Sequence, residues 1–519
     1  MTQQGVAIAP DFDWKRLQNG SDIRGVALEG VPGESVNLTA DVVEQLGRAF
    51  ATWLGKTTSK AVSDLTIAVG RDSRLSGLTL IEAAIAGLSG EGCRVYNFGM
   101  ASTPAMFVST VAPGFECDGA IMLTASHLPF NRNGLKFFTA QGGLEKSNIR
   151  EILSLAESQG GQVSAQSPAD SGEVTERDFM AVYTDRLVQM IRDGVDAPGD
   201  RDRPLAGLKI VVDAGNGAGG FYASQVLEPL GANTTGSQFL DPDGTFPNHV
   251  PNPENAEAMA SLRQAVKAHQ ADFGIIFDTD VDRSAAVDGD GNDLNRNRLI
   301  ALMAAIVLRE HPGSTIVTDS ITSDGLATFI DSDLKGQHHR FRRGYKNVIN
   351  EAKRLNESGQ ESWLAIETSG HAAMRENYFL DDGAYLISKV LVEVAKAKLA
   401  GRSLTDLIAN LQEPVESREF RLKLSAADFA SYGTTIIDKL KLFAESQPNW
   451  AVVPNNYEGV RVACSSAAEN GWFLLRLSLH DPVMPLNVET NVAGGVAEIT
   501  ARLHDFLQAF EALDSSSLA

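Results

Sequence analysis

The segment from which the architecture of this chain can be inferred runs Met122-Leu123-Thr124-Ala125-Ser126-His127-Leu128-Pro129-Phe130-Asn131-Arg132-Asn133-Gly134-Leu135-Lys136-Phe137-Phe138. Residues 120–123 are apolar, which is typical of a buried strand, and the run ends at small and turn-forming residues. Ser126 is therefore predicted at a strand end, where α/β sheets bind ligands. Serine is also common in turns, so an isolated serine beside His127 would more often have a structural role.

A second polar segment follows another predicted strand. The apolar residues 273–277 lead directly into Asp278-Thr279-Asp280-Val281-Asp282-Arg283. Alternate residues of an extended chain face the same side, so the three carboxylates are predicted to project together. They would repel one another without a cation among them, and hard oxygen ligands suit Mg²⁺. A solvated acidic turn is the alternative, and it accounts well for the predicted hairpin at residues 288–292.

Two other kinds of aspartate site were weighed for this segment. An EF-hand loop that starts at Asp278 needs glycine at its sixth position and glutamate at its twelfth, where this chain has Arg283 and Gly289. Phosphotransferases of the haloacid-dehalogenase type also have Asp-x-Asp after an apolar strand, which would make Asp278 a nucleophile. Their motif ordinarily lies on the first core strand, whereas this one lies in the middle of the chain.

Composition indicates a large multidomain protein. The chain has 519 residues and a net charge of −21, which argues against nucleic acid as a partner. The cysteines are few and widely spaced, which suits a reducing cytoplasm and supports no disulfide framework or zinc site. The first residues lack the pattern of a signal peptide, and the longest apolar run, at residues 299–308, is too short to span a bilayer. We therefore expect a cytoplasmic protein with no membrane partner.

Strand and helix patterns alternate along much of the chain, which predicts mainly parallel sheets covered by helices. The glycine-rich residues 213–220 lack the Lys-Ser/Thr ending of a phosphate-binding loop, so tight strand-to-helix packing is the preferred interpretation. Residues 154–176 are predicted to form a loop. Changes in composition place domain boundaries so that the chain divides into 1–195, 196–308, 309–412 and 413–519.

The serine segment closely resembles the active-serine loop of the α-D-phosphohexomutases, the family of phosphoglucomutase and phosphomannomutase. The matching features are Thr-Ala-Ser-His, a proline two residues later, and Asn-Gly-Leu-Lys. The resemblance implies that Ser126 carries a phosphoryl group and that Lys136 is a cation beside it. One difference is Leu128, where most members have asparagine.

The resemblance extends along the chain and implies roles for further residues. The aspartates become ligands of Mg²⁺ together with a phosphoserine oxygen of Ser126, and Arg24 becomes a phosphate or acid–base neighbour. His371, in a sugar-binding loop, becomes a candidate for proton transfer. The implied metal ligands are Ser126, Asp278, Asp280 and Asp282, and the implied substrate-binding residues are Arg283, Lys346, Glu367, Ser369, Arg476, Ser478 and His480.

The family also implies a fold and an activity. The fold is α/β with a four-domain architecture, in which three related mixed α/β domains and a C-terminal α+β domain surround a central cleft. The activity is an Mg²⁺-dependent exchange between hexose 1-phosphate and hexose 6-phosphate through a phosphoserine and a hexose 1,6-bisphosphate. The implied activator is glucose 1,6-bisphosphate, and a monomer and a homodimer are both open.

Two alternatives remain at this point. In the distal phosphate loop, Leu479 and His480 replace an asparagine or glycine and a threonine of the family pattern. Weaker retention of the intermediate there would suit a hexose 1,6-bisphosphate synthase that releases it. A non-catalytic sugar-phosphate sensor is the second alternative, but Ser126 and the three aspartates are all present.

Overall fold

The computed structural model of the chain describes residues 8–9, 11–159, 171–197, 200–478 and 481–519. It divides into two compact units. The first unit contains Met1–Asn295 and Ser369–Leu404, and the second contains Arg296–Thr368 and Thr405–Ala519. The three boundaries between the four predicted domains stay a prediction. Among the described residues, no helix is both long and apolar enough to cross a bilayer.

The first unit begins with an eight-stranded sheet that carries the serine segment. Its strands are β1 (Gln18–Asn19), β2 (Asp22–Val26), β3 (Thr66–Arg71), β4 (Arg94–Met100), β5 (Gly119–Leu123), β6 (Arg132–Thr139), β7 (Gly142–Gly143) and β8 (Val174–Glu176). Their order is β1-β2-β6-β5-β3-β4-β8, with β7 beside β6. Strands β3, β4, β5 and β8 are parallel, but β6 is antiparallel to β5. The sheet is mixed because the serine segment turns the chain back beside β5 instead of crossing over through a helix.

Helices cover this sheet and bury the core of the unit. They are α1 (Ala40–Thr58), α2 (Gly77–Gly90), α3 (Thr103–Val108), α4 (Lys146–Ser158) and α5 (Phe179–Val195). The predicted loop at 154–176 is wrong at both ends, since α4 continues to Ser158 and β8 begins at Val174. The buried residues of α4 are Ile149, Ile152, Leu153 and Ala156, so beyond Ser154 only Ala156 continues the buried pattern of the helix.

A four-stranded sheet in the same unit carries the aspartate segment. Its strands are β9 (Ile210–Asp213), β10 (Phe273–Phe277), β11 (Ser284–Asp288) and β12 (Asp293–Leu294), in the order β12-β11-β10-β9, and α6 (Ala256–His269) packs on it. Strands β10 and β11 are antiparallel, so the aspartates lie in the connection between them. The packing role of the glycine run is confirmed: a Cβ at Gly220 would lie 2.2 Å from the Leu240 carbonyl oxygen.

The second unit contains a three-stranded parallel arrangement, β14-β13-β15. Its elements are α7 (Arg296–Glu310), β13 (Thr315–Asp319), α8 (Asp324–Thr328), β14 (Gln337–Phe341), α9 (Tyr345–Glu357) and β15 (Ser362–Ile366). The chain then returns to the first unit as β16 (Ala372–Met374), β17 (Leu380–Asp381) and α10 (Gly383–Leu399).

The C-terminal part of the second unit is an antiparallel sheet with two long helices. Its elements are β18 (Glu416–Leu424), α11 (Phe429–Ser446), β19 (Trp450–Val452), β20 (Val460–Cys464), β21 (Gly471–Leu475), β22 (Val483–Thr490), α12 (Gly495–Leu507) and β23 (Leu513–Asp514). The strand order is β19-β20-β21-β22-β18-β23. Cys93, Cys117 and Cys464 are all buried and form no disulfide bond, so they are small residues of the core.

Helices α1 and α2 approach closely because glycines lie at their contact. A Cβ at Gly87 would lie 2.1 Å from the Glu44 carbonyl oxygen. We expect Gly87→Ala to lower the free energy of unfolding by about 1–3 kcal/mol, because the added methyl group must push the helices apart. Thermal and denaturant unfolding would measure the change. Glu82→Ala, on the exposed side of α2, is the control, and a Gly87→Ala variant as stable as wild type would contradict the close packing.

Candidate active site

Ser126 lies in the tight turn after β5. Its backbone has φ = 49°, in the left-handed region, and its N–H donates to Thr124 Oγ1 at 2.9 Å. Ser126 is only 8% exposed, so it is more buried than a residue at a strand end would ordinarily be. Its hydroxyl donates to Asp278 Oδ2 at 3.0 Å. The serine predicted to react therefore contacts the first of the three predicted metal ligands.

The three aspartates do come together, but the predicted reason is wrong. Residues 278–283 form a turn, in which Val281 has φ = 68° and donates its N–H to the Asp278 carbonyl oxygen. The turn, rather than an extended strand, gathers one oxygen from each carboxylate within 4.8 Å of the others. All three side chains are buried.

Two cations balance these carboxylates in part. Lys136, on β6, donates to Asp280 Oδ2 at 3.0 Å and also to Asp282. Burial alone would lower the pKa of Lys136, but the charges of Asp280 and Asp282 raise it well above the ordinary lysine value. Burial and the charge of Asp282 raise the pKa of Asp278, although the Arg283 guanidinium opposes this shift. Three carboxylates therefore share two cations.

The carboxylate oxygens that remain suit a divalent metal ion. Asp280 Oδ1 and Asp282 Oδ1 are buried and have no hydrogen-bond partner. Such atoms are costly to bury unless something compensates them. Hard oxygen donors of this kind are the usual protein ligands of Mg²⁺, so the residues present fit the predicted metal.

Arg283 contacts the serine directly. Its Nη2 donates to Ser126 Oγ at 3.0 Å and to His127 Nδ1 at 2.6 Å, and its Nε donates to Asp278 Oδ2 at 3.0 Å. His127 is an exposed residue, but desolvation of its ring and the Arg283 charge lower its pKa, so the neutral imidazole accepts this hydrogen bond. Nη1 donates to Asn252 Oδ1 at 3.2 Å. Arg283, predicted to bind substrate, is therefore in direct contact with Ser126, and its substrate-binding role stays a prediction.

Arg24 and His371 lie in the same unit. Arg24, on β2, donates to the Thr124 carbonyl oxygen at 2.7 Å and pairs with Asp22 at 2.9 Å, which places it beside the serine turn. His371 forms a β-bridge with Arg283, and its Nδ1 bonds to the Asp381 carboxylate. Burial opposes protonation of His371, but the charges of Asp381 and Asp282 raise its pKa to about 9.

The sequence reasoning missed several neighbours of these residues. Asn252 lies in the proline-rich loop of residues 241–253, for which the sequence predicts no chemistry. Thr103, at the start of α3, donates its hydroxyl to Asp280 Oδ2 and its N–H to the Asp280 carbonyl oxygen. Arg74 donates to four backbone carbonyl groups of the serine turn. Arg74 ends the Gly-Arg-Asp-Ser-Arg segment at residues 70–74, which the family resemblance places beside the active serine, although no role was predicted for Arg74 itself. The signal for Thr103 was its position after the carboxyl end of β4.

The remaining predicted residues divide between the units. In the second unit, Glu367 accepts a hydrogen bond from Gly344 N–H at 2.6 Å, and Lys346 lies in the first turn of α9. Ser369 belongs to the first unit, and its buried hydroxyl has no hydrogen-bond partner. The roles predicted for these three residues stay predictions.

The distal phosphate loop follows β21 in the second unit. Arg476 Nε lies 3.9 Å from a Glu458 carboxylate oxygen. Ser478 donates its N–H to the Val483 carbonyl oxygen at 3.0 Å, and its hydroxyl accepts from Asp481 N–H at 3.3 Å. Leu479 and His480 lie outside the described residues.

Sequence profiles of one family match three consecutive parts of the chain. They are the phosphoglucomutase/phosphomannomutase alpha/beta/alpha domain I over residues 15–161, domain II over residues 181–291, and domain III over residues 295–415. Among solved structures, a phosphoglucomutase/phosphomannomutase family protein of Burkholderia thailandensis is 28% identical and has a TM-score of 0.76, with 96% of this chain and 98% of that chain covered.

Curated relatives match over nearly the same length. A phosphoglucomutase of Neisseria gonorrhoeae is 31% identical over 477 residues, which are 92% of this chain and 94% of the relative. A phosphomannomutase/phosphoglucomutase of Pseudomonas aeruginosa is 30% identical over 494 residues, which are 95% of this chain and 96% of the relative. With the mixed α/β sheets and the serine and aspartate turns described above, these matches establish that the chain belongs to the phosphoglucomutase/phosphomannomutase family, the α-D-phosphohexomutases.

Proposed function

We propose that this protein interconverts hexose 1-phosphate and hexose 6-phosphate by passing a phosphoryl group through Ser126. The observation that carries the proposal is the position of Ser126 Oγ, which lies 3.0 Å from both Asp278 Oδ2 and Arg283 Nη2. A nucleophile held between a buried carboxylate cluster and a guanidinium suits phosphoryl transfer, in which charge compensation and positioning account for most of the catalysis. The names of the relatives support glucose and mannose phosphates as substrates.

Asp278, Asp280 and Asp282 would hold Mg²⁺ together with an oxygen of the phosphorylated Ser126. When bound, the ion supplies positive charge beside the phosphoryl oxygens. Arg283 Nη2 donates to Ser126 Oγ and would bind the phosphoryl group carried by that oxygen. Lys136 keeps Asp280 and Asp282 together through its two hydrogen bonds.

In the first half of the reaction, the bond between Ser126 Oγ and phosphorus breaks, and the free hydroxyl oxygen of the hexose phosphate forms the new bond to phosphorus. The proton of that hydroxyl passes to a basic group, and Ser126 is left as an alkoxide or, after proton return, as a hydroxyl. Lys136, Arg24 and His371 are the candidates for this proton transfer or for stabilising the charge. The product is a hexose 1,6-bisphosphate.

In the second half, the bisphosphate turns over and returns its other phosphoryl group to Ser126. Both poses need the same partners for the sugar and for the phosphate that does not react. Glu367 and Ser369 offer hydrogen bonds to sugar hydroxyls, and Lys346, Arg476, Ser478 and His480 offer donors to that phosphate. Added glucose 1,6-bisphosphate would rephosphorylate Ser126 whenever an intermediate is lost, which makes it an activator.

The sequence of the distal loop favours a second candidate. Leu479 and His480 stand where the family pattern has an amide or glycine and a hydroxyl, so two donors to phosphate are replaced. If the intermediate leaves before it turns over, the net reaction becomes synthesis of a hexose 1,6-bisphosphate. Products formed from glucose 1-phosphate, either glucose 6-phosphate or accumulating bisphosphate, distinguish the two reactions.

We expect Ser126→Ala to abolish both the phosphorylated form and the mutase cycle, because no other hydroxyl contacts Asp278 and Arg283 in this way among the described side chains. Intact-mass measurement after incubation with glucose 1,6-bisphosphate should show one added phosphoryl group on wild type only. Ser73→Ala is the control, since its buried hydroxyl has no partner. If Ser126→Ala turned over at the wild-type rate, the nucleophile would be an aspartate and not Ser126.

We expect Asp280→Asn to weaken Mg²⁺ binding and to reduce activity in parallel, because an anionic oxygen donor becomes a neutral amide. Isothermal titration calorimetry measures the metal affinity independently of turnover. Asp290→Asn, in the exposed hairpin between β11 and β12, removes the same charge away from the cluster and should change neither quantity. Unchanged Mg²⁺ affinity in Asp280→Asn would refute the assigned ligand set.

We expect wild-type mutase activity to depend strongly on added glucose 1,6-bisphosphate, because a hydrogen bond to a charged group is worth about 1.5–3 kcal/mol and two donors are replaced. Changing Leu479→Asn together with His480→Thr should reduce that dependence. Leu442→Asn, at an exposed position of α11, controls for the added amide. A wild type that runs at full rate over many turnovers without the bisphosphate would show that the natural loop retains the intermediate.

A further inference from the structure

Arg74 is one of the most completely buried charged side chains in the described chain, and its guanidinium is directed at the serine turn. Nη1 donates to the carbonyl oxygens of Pro129 at 2.8 Å and Arg132 at 2.9 Å. Nη2 donates to the carbonyl oxygens of Ser126 at 2.5 Å and Leu128 at 2.6 Å. One side chain therefore binds four carbonyl groups of the seven-residue segment that begins at Ser126.

The guanidinium is fixed on its other side as well. Its Nε lies 3.4 Å from Asp72 Oδ2, and the Arg74 N–H donates to Asp72 Oδ1 at 3.0 Å. The Asp72 N–H donates to the carbonyl oxygen of Leu123, three residues before Ser126, at 3.1 Å. The segment Asp72–Arg74 thus binds the chain on both sides of Ser126.

The proline-rich loop of the aspartate-carrying sheet covers this arrangement. Gly244 packs on the backbone of the Arg74 segment, where a Cβ would lie 2.4 Å from Leu75 N. The ring of Phe246 lies 5.3 Å from the Arg74 guanidinium carbon. Arg74 is consequently confined by Asp72 and Phe246 and cannot turn away from the serine turn without disturbing both.

We propose that Arg74 is a positioning residue for phosphoryl transfer: its hydrogen bonds to four carbonyl groups hold Ser126 in the left-handed conformation that places Oγ on Asp278 and Arg283. A non-glycine residue at φ = 49° is strained, so the surrounding structure must impose this conformation. Without the four donors, the turn relaxes and Oγ moves from the line of transfer. The effect on turnover rests on the function proposed above, whereas the effect on the turn does not.

Arg74→Lys is the first test, because lysine keeps the charge opposite Asp72 but has no planar fork of donors. Hydrogen exchange by mass spectrometry should show faster exchange over residues 124–132, since the turn opens more often. We expect kcat to fall by about 10²-fold, as small misplacements of reacting groups do, while KM changes less than about threefold. Mg²⁺ affinity, measured by calorimetry, should stay close to wild type.

Arg48→Lys is the matched control. Arg48 is a buried arginine of α1 that pairs with Glu44 and Glu91, so it reports the loss of stability that such a substitution causes elsewhere in the unit. Thr124→Val is a second probe, because it removes the acceptor of the Ser126 N–H without removing a buried charge. Thr124→Val should also speed hydrogen exchange over residues 124–132 and lower kcat. It therefore keeps the test decisive if Arg74→Lys folds poorly.

Unchanged exchange of residues 124–132 in both Arg74→Lys and Thr124→Val would overturn the proposal, whatever reaction the wild type catalyses. Arg74 would be a purely structural residue if Arg74→Lys lowered kcat no more than Arg48→Lys does. The same conclusion would follow if kcat and Mg²⁺ affinity fell and KM rose in parallel. If the variants exchange faster in the turn but the wild-type protein has no mutase activity, the positioning contacts are supported and the proposed function is refuted.

Discussion

Burial of three carboxylates beside one serine is the constraint on which the first unit depends. Two unit charges about 4 Å apart interact by about 4 kcal/mol at an effective dielectric constant of 20. Asp278, Asp280 and Asp282 would therefore separate unless cations were fixed among them. The pairing of β6 with β5 supplies Lys136, and Arg283 immediately precedes β11, which pairs with β10. The antiparallel partners of β5 and β10 thus allow the aspartate turn to exist in a protein interior.

The same two strand connections account for the strain at the site. Ser126 and Val281 both have positive φ, which costs on the order of 1–3 kcal/mol for a non-glycine residue. Each lies between a parallel strand and its antiparallel neighbour, where the chain reverses over a few residues. Hydrogen bonds from Arg74 and Thr103 to backbone carbonyl groups of these two turns offset part of that cost. The strain is the physical consequence of directing Ser126 Oγ and the carboxylates to one point.

Much of this site could be predicted because apolar strands followed by polar turns leave a local signal. The segments around Ser126 and Asp278 have this signal, and the alternation of elements predicts the α/β class. The alternation also predicts mainly parallel sheets, whereas the antiparallel pairs β5–β6 and β10–β11 make the sheets mixed, as the family resemblance implies. What could not be predicted depends on contacts between distant parts of the chain: Arg74 acts on residues more than fifty positions away, and Asn252 on Arg283. The sign of φ at Val281 is likewise imposed by the surrounding structure. The chain passes from the second unit to the first between Thr368 and Ser369, and this boundary depends on contacts throughout the chain, so no local signal marks it.

Two segments differ from the family pattern, at Leu128 and at Leu479 and His480, and the second difference is expected to matter more. Leu128 replaces an asparagine of the family pattern near Ser126, but Arg74 binds its carbonyl oxygen, which every residue type provides. The turn can therefore keep its shape although one side-chain contact is missing. Leu479 and His480 replace residues whose side chains are expected to donate to a phosphate, and leucine offers no donor in exchange. A turn defined by its backbone tolerates changes of side chain, whereas a phosphate loop defined by its side chains does not. On the proposed mechanism, divergence in this chain therefore affects retention of the bisphosphate before it affects the reaction at Ser126.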